Sequence, residues 1–169
     1  AGSVLHATGT RHMSSLGGLW RAMPWTASCF ALGAAAISGL PPLNGFVSEW
    51  LVYLGLFGAV DARGMAAIGA VPAAILLAVT GALALACFVK VTGVVFLGFP
   101  RTEKAQHAHE SGWPMRMAML GLAIPCVMIG LAPALFWPLL RQAGAAWQGE
   151  VEPVTQSIPA PLFTLGVWN

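Results

Sequence analysis

Charge is what this sequence has least of. Its 169 residues include 8 lysines and arginines and 6 aspartates and glutamates. Charged residues make up 8% of the chain, where a soluble domain carries about 25%. That is too little polar surface to coat a water-soluble globule, which excludes a soluble enzyme and a disordered tail. The basic residues form no cluster, so there is no electrostatic footprint for nucleic acid. Cysteine is scarce as well. Cys29, Cys87 and Cys126 stand apart in apolar runs without a CxxC pair, which excludes a secreted disulfide scaffold and points away from zinc and iron–sulfur clusters. No Gly-rich dinucleotide loop and no haem-ligand pair is present, so no cofactor is expected. His107 and His109 lack a further ligand nearby and suggest no metal site.

Apolar residues are abundant. The AVILMFWYC set accounts for 57% of the chain, and the mean hydropathy is +0.76. This composition belongs to a polytopic membrane protein, and the expected fold class is an all-α transmembrane helical bundle. The opening AGSVLHATGT reads as the exit of a helix. A new apolar segment begins at Pro161 and reaches Trp168, next to the final Asn169. The expectation is a fragment of a longer membrane protein.

Three apolar stretches are expected to cross the bilayer, over about 26–60, 65–99 and 115–140. A straight span needs ~20 apolar residues. The third stretch fits one span with kinks at Pro125 and Pro133. The first two are longer and must tilt, break or extend past the hydrocarbon. A polar tail is expected over 141–169, up to the new apolar segment. Three spans place the polar breaks alternately on two sides. Arg11, Arg21, Arg101, Lys104 and Arg116 gather on one side, with Arg63 and Arg141 on the other. The positive-inside rule then puts the loops at 10–25 and 100–114 in the cytoplasm.

The first stretch carries GLPPLNG at its centre. Pro41 and Pro42 lack amide hydrogens, and their rings clash with preceding carbonyls at a cost of ~3 kcal/mol or more each. Leu40 precedes a proline and is pushed out of helical angles. Gly39 and Gly45 permit a turn. The spacing predicts two half-helices, Thr26–Gly39 and Phe46–Gly58, with Asn44 at the break. Transporters place ion sites at such breaks, although a plain proline kink has the same signature. Glu49 follows closely. A carboxylate in hydrocarbon is expensive and marks ion or proton paths, or else it holds a basic residue of a neighbouring helix. Lys90 is a second charge inside an apolar stretch, and it either relays protons or snorkels to the interface. His6 is a third candidate, as a proton shuttle or a helix cap.

The run GSVLHATGTRHMSSLGGLWRAMPWT followed by AAAISGLPPLNGFVSEWLVY resembles the proton-conducting antiporter-like subunits. These occur in respiratory complex I, in multi-subunit sodium/proton antiporters and in membrane-bound hydrogenases. GLPPLNGFVSEWL is most similar to the hydrogenase-4 and formate hydrogenlyase branch. The complex I M-type subunit is a near relative whose break differs. N-type subunits usually carry lysine at the Glu49 position, which argues against them.

The resemblance covers about residues 1–140. It implies an inverted-repeat antiporter-like fold, with this chain the C-terminal part of its proton-conducting domain. It also implies a multi-pass protein of the bacterial inner membrane that is no enzyme by itself. Its partners would be other membrane and peripheral subunits of a redox complex, and its cargo protons, with sodium ions as the alternative. Matched residue by residue, Glu49 takes the place of the terminal charged residue on the broken helix, and His6 that of a histidine on the central polar axis. Lys90 falls on the following helix, where members vary.

Overall fold

The computed structural model describes residues 2–61 and 65–148, with the side chains of 65–67 and 148 left aside. The expected tail beyond Gln148 and the apolar segment from Pro161 lie outside the described residues. The described chain is helical, with no strand. Helix α1 spans Gly2–Thr8, followed by a 3-10 turn at Met13–Ser15 and short α2 at Leu19–Ala22. Then come α3 (Pro24–Ile37), α4 (Asn44–Asp61), α5 (Met65–Phe96), α6 (Glu103–Gln106), α7 (Trp113–Leu131) and α8 (Pro133–Gln148). Two helices are long and apolar enough to cross a membrane, Ile68–Phe96 and Trp113–Leu131.

The first apolar stretch is broken between Ile37 and Asn44. Gly39 adopts a left-handed φ of +64°. Its N–H bonds the Ala36 carbonyl at 3.2 Å, and the Leu40 N–H bonds Ala35 at 3.1 Å. This is a Schellman closure, which satisfies the Ala35 and Ala36 carbonyls before the prolines are reached. Pro41 and Pro42 therefore prevent the chain from resuming rather than tear an existing helix. Leu43 N–H then bonds the Leu40 carbonyl at 3.2 Å, and α4 begins at Asn44. Gly45 falls inside the first turn of α4 instead of in the turn itself. A Cβ there would overlap the Ala36 carbonyl oxygen, so this glycine serves the close crossing of the two half-helices.

The third stretch departs from the expected 115–140 span. Ala132 leaves helical angles at φ −132°, ψ 61°, and α7 ends at Leu131. A residue before proline is driven from the α region, and Pro133, lacking a donor, suits the first turn of a new helix. The predicted kink is thus a one-residue break. Helix α8 takes up Leu135–Leu140 and carries on to Gln148, so the first part of the expected polar tail is helical.

Tight apolar packing gathers at one end. Val4, Leu16, Leu19, Met23 and Ala27 close on Val95, Phe96, Ala105 and Ala108. The 3-10 loop and the α5–α6 connection are bonded to each other there: Gly18 N–H to the Leu97 carbonyl at 3.0 Å, and the Thr102 hydroxyl to the Ser15 carbonyl at 2.9 Å. Thr102 also accepts from Ala105 N–H and caps α6. Along the long helices the pattern reverses. Ile68, Leu76, Leu83 and Val89 of α5 are all exposed, as suits a helix meeting lipid or other helices on every side.

The Schellman closure yields a test on a single helix. Gly39→Ala forces an L-residue into left-handed angles, costing roughly 1–2 kcal/mol, and brings its methyl against Glu49. Gly33→Ala, in the interior of α3 with nothing within 4 Å of its Cβ, gains up to about 1 kcal/mol of helix propensity. Thermal midpoints of the full-length protein in detergent should move in opposite directions; parallel shifts would refute this account of the break.

Candidate functional site

The break packs against both long helices. Helices α3 and α4 each contact α5 and α7. Glu49, in the second turn of α4, folds its carboxylate back over the end of α3. A methyl group at Gly39 would lie 2.6 Å from Oε2 and 2.9 Å from Oε1. One at Gly81 of α5 would lie 3.8 Å from Oε1. The acid is thus sandwiched between two residues without side chains, and only glycine leaves room at the first of them. It lines an open cleft of about 380 Å³ with Asn44, Gly45, Ser48 and Cys126 among its walls.

Polar satisfaction around the break is uneven. Ser48 donates to the Gly45 carbonyl at 2.8 Å. Thr80 and Thr92 likewise bond back within α5, to Leu76 and Phe88, each at 2.7 Å. Ser38 Oγ and Asn44 Oδ1 are buried without a protein partner. A buried polar atom left unpaired costs about 1–3 kcal/mol, so these two oxygens call for water or a cation. The last carbonyls of α3 also present the negative end of its dipole toward Glu49. Asn44 Oδ1 shares the Glu49 cleft, whereas Ser38 lines a separate cavity with Leu40, Leu85 and Thr92.

Lys90 and His6 do not join this site among the described residues. Lys90 lies nine residues beyond Gly81 on α5, about 2.5 turns and ~13.5 Å further along. Half-integral turns put it on the opposite face from the one that meets Glu49, and it is exposed. His6 is exposed on α1. The Ser3 hydroxyl of α1 contacts Met115 Sδ at 2.9 Å, near the start of α7, whereas the break meets α7 near its end.

Two structural contributors escape sequence reasoning. One is Gly130 of α7, where a Cβ would overlap the Pro42 carbonyl oxygen and lie 2.6 Å from Leu43 Cα. The other is Glu110, in the connection between α6 and α7. Its carboxylate accepts from the Thr26 hydroxyl at 2.6 Å and from Trp25 N–H at 2.9 Å, capping α3. Burial pushes the Glu110 carboxyl up, but the Thr26 hydroxyl and the N–H groups of Trp25, Ser111 and Thr26 outweigh it and hold it below its ordinary value of 4.5. Neither residue carries a motif, because each acts on a partner distant in sequence.

Comparisons place the chain among known membrane proteins. Residues 1–76 match the family described as NADH:quinone oxidoreductase/Mrp antiporter, transmembrane. Hydrogenase-4 component B of Escherichia coli K12 is 41% identical over 87% of the chain and 22% of the relative's length. Formate hydrogenlyase subunit 3 of the same organism is 40% identical over 98% of the chain and 27% of the relative. A probable K(+)/H(+) antiporter component of Rhizobium meliloti is 30% identical over the whole chain and 16% of that relative. The chain spans about a quarter of the length of the two Escherichia coli relatives.

Because folding lowers the Glu110 value, its cap contributes above the ordinary carboxylate value and is lost as pH falls through the folded one. Glu110→Gln should therefore cost about 0.5–1 kcal/mol at neutral pH, after discounting for solvent. The gap to wild type should close in acid. Thermal melts of the full-length protein across pH check this; a gap that widens in acid would reverse the assignment.

Proposed function

We propose that this chain, whose first 76 residues belong to the NADH:quinone oxidoreductase/Mrp antiporter transmembrane family, is part of a proton-translocating subunit. The subunit works in a complex of the hydrogenase-4 or formate hydrogenlyase type. The observation that carries the reading is Glu49, whose carboxylate lies over the Gly39 end of a broken half-helix, in a cleft that Asn44 and Ser48 also line. Protons reach that carboxylate through water held by the unpartnered oxygens of the break, and leave it as its surroundings change charge. Electron transfer occurs in other subunits, which supply the driving force. Bond-making chemistry belongs to the assembly and not to this chain. Lys90, on the α5 face opposite Gly81, and His6, exposed on α1, would serve the path at points away from Glu49.

The loops at 10–25 and 100–114 face the cytoplasm of a bacterial inner membrane. The hydrogen bonds that join the Ser15–Gly18 segment to Leu97 and Thr102 support a common side for the two loops, and the excess of Lys and Arg in them supports the cytoplasmic one. A second reading is a cation/proton antiporter component. It is favoured by the antiporter relative that aligns over the whole chain and by Asn44 Oδ1, a buried oxygen ligand without a partner.

The deciding measurement is proton uptake by vesicles containing the full-length complex, wild type against Glu49→Gln, at matched assembly and donor turnover. Loss of at least about tenfold is expected for a removed proton relay. Unchanged uptake would make Glu49 a structural residue. Transport that requires sodium without any electron donor would transfer the reading to the antiporter.

A further inference from the structure

A helix that stops inside a bundle loses the support that its own continuation would give. Helix α3 ends at Ile37, so its axial position is set by the elements packed on it. Beside α4 and α5, two contacts from one stretch of chain meet it, one at its start and one at the break. Glu110, three residues ahead of α7, grips the first turn of α3 through the Thr26 hydroxyl at 2.6 Å and Trp25 N–H at 2.9 Å. The first of these is the shortest bond from a side-chain hydroxyl in the described residues. Near the other end of α7, Gly130 seats the Pro42 carbonyl and the Leu43 backbone. From Trp113 to Gly130 is about 26 Å of helix, and α3 from Pro24 to Ile37 about 20 Å. The remaining length matches the turn from Ser38 to Leu43. Helix α7 thus runs beside the broken helix and meets it at its start and at its break.

We propose that Glu110 and Gly130 are positioning residues that make α7 a strut, fixing the axial register of α3 and with it the distance between the Gly39 end and the Glu49 carboxylate. Neither touches the transported proton. This rests on the reading of Glu49 as a proton carrier. Breaking the Glu110 grip frees α3 to slide or tilt, and the carbonyl end that faces Glu49 moves with it. Replacing Gly130 with a larger residue pushes the same turn from the other end.

The test uses the full-length complex in vesicles and reads protons moved per donor turnover at matched assembly. Glu110→Ala and Thr26→Val should each lower that ratio at least threefold. The double variant should lose no more than Glu110→Ala alone, because Thr26→Val removes a bond that Glu110→Ala has already removed. Hydrogen exchange on the solubilised complex should quicken at Leu40–Glu49 as well as at Trp25–Ala27 in Glu110→Ala, which a purely local cap would not produce. If Glu110→Ala does not assemble, Thr26→Val, which keeps shape and volume, carries the test by itself. An unchanged ratio in Thr26→Val, additive losses in the double variant, or exchange confined to Trp25–Ala27 would overturn the strut. Glu49→Gln measured alongside separates the two claims. If it pumps normally the proton-path reading fails. If it is silent while Thr26→Val is normal, only the strut fails.

Discussion

Every peptide group inside a bilayer must find its hydrogen-bond partner within the protein, and the break between α3 and α4 is where this constraint bears hardest. The Schellman bonds at Gly39 and Leu40 answer it by closing α3 on its own carbonyls. Once the helix ends that way, the surrounding choices follow. Gly45 must be small for α4 to cross over Ala36, and Gly130 must be small for α7 to approach Leu43. Gly81 lets α5 lie against the acid. A polar break can persist in apolar surroundings because these close approaches exclude lipid from the backbone.

The same closure explains which atoms remain for function. The carbonyls of Ala35 and Ala36 are occupied, and among the side chains of the break Ser38 Oγ and Asn44 Oδ1 are left unpaired. Three hydroxyls nearby, on Ser48, Thr80 and Thr92, are silenced by their own helices. The contrast separates polar residues that merely tolerate the membrane from those left open to water or an ion. Asn44 and Glu49 then share one cleft, with an acceptor and a titratable group on the same wall.

Local chemistry was legible in the sequence, and long-range facing was not. The break could be read from Pro41, Pro42 and Gly39 because proline and glycine act on their own backbone. The start of α8 was misread because Pro133 can kink a helix or begin one, and only the angles at Ala132 decide between them. The face of Lys90 was unreadable for another reason. Helix α5 is apolar on all sides, so no periodicity marks the side that meets Glu49. Glu110 and Gly130 depend on contacts formed across 84 and about 87 residues of chain, and neither spacing nor composition announces such pairs.

The position of α3 matters to Glu49 because the field at a helix end is short-ranged. The negative end of a helix dipole interacts with a nearby charge by about 0.3–1 kcal/mol, more where water is sparse, and fades within the first or last turn. One turn is ~5.4 Å. A slide of even half that distance removes most of the interaction, whereas a continuous helix would present no such end at all. The break therefore creates an electrostatic feature whose strength depends on where α3 stops relative to the acid. In the proposed reading of Glu49 as a proton carrier, the carboxylate depends on that setting being held between uptake and release. On the same proposal the elements that meet α3 at both ends would share this task with the acid itself, although they lie far from it in sequence.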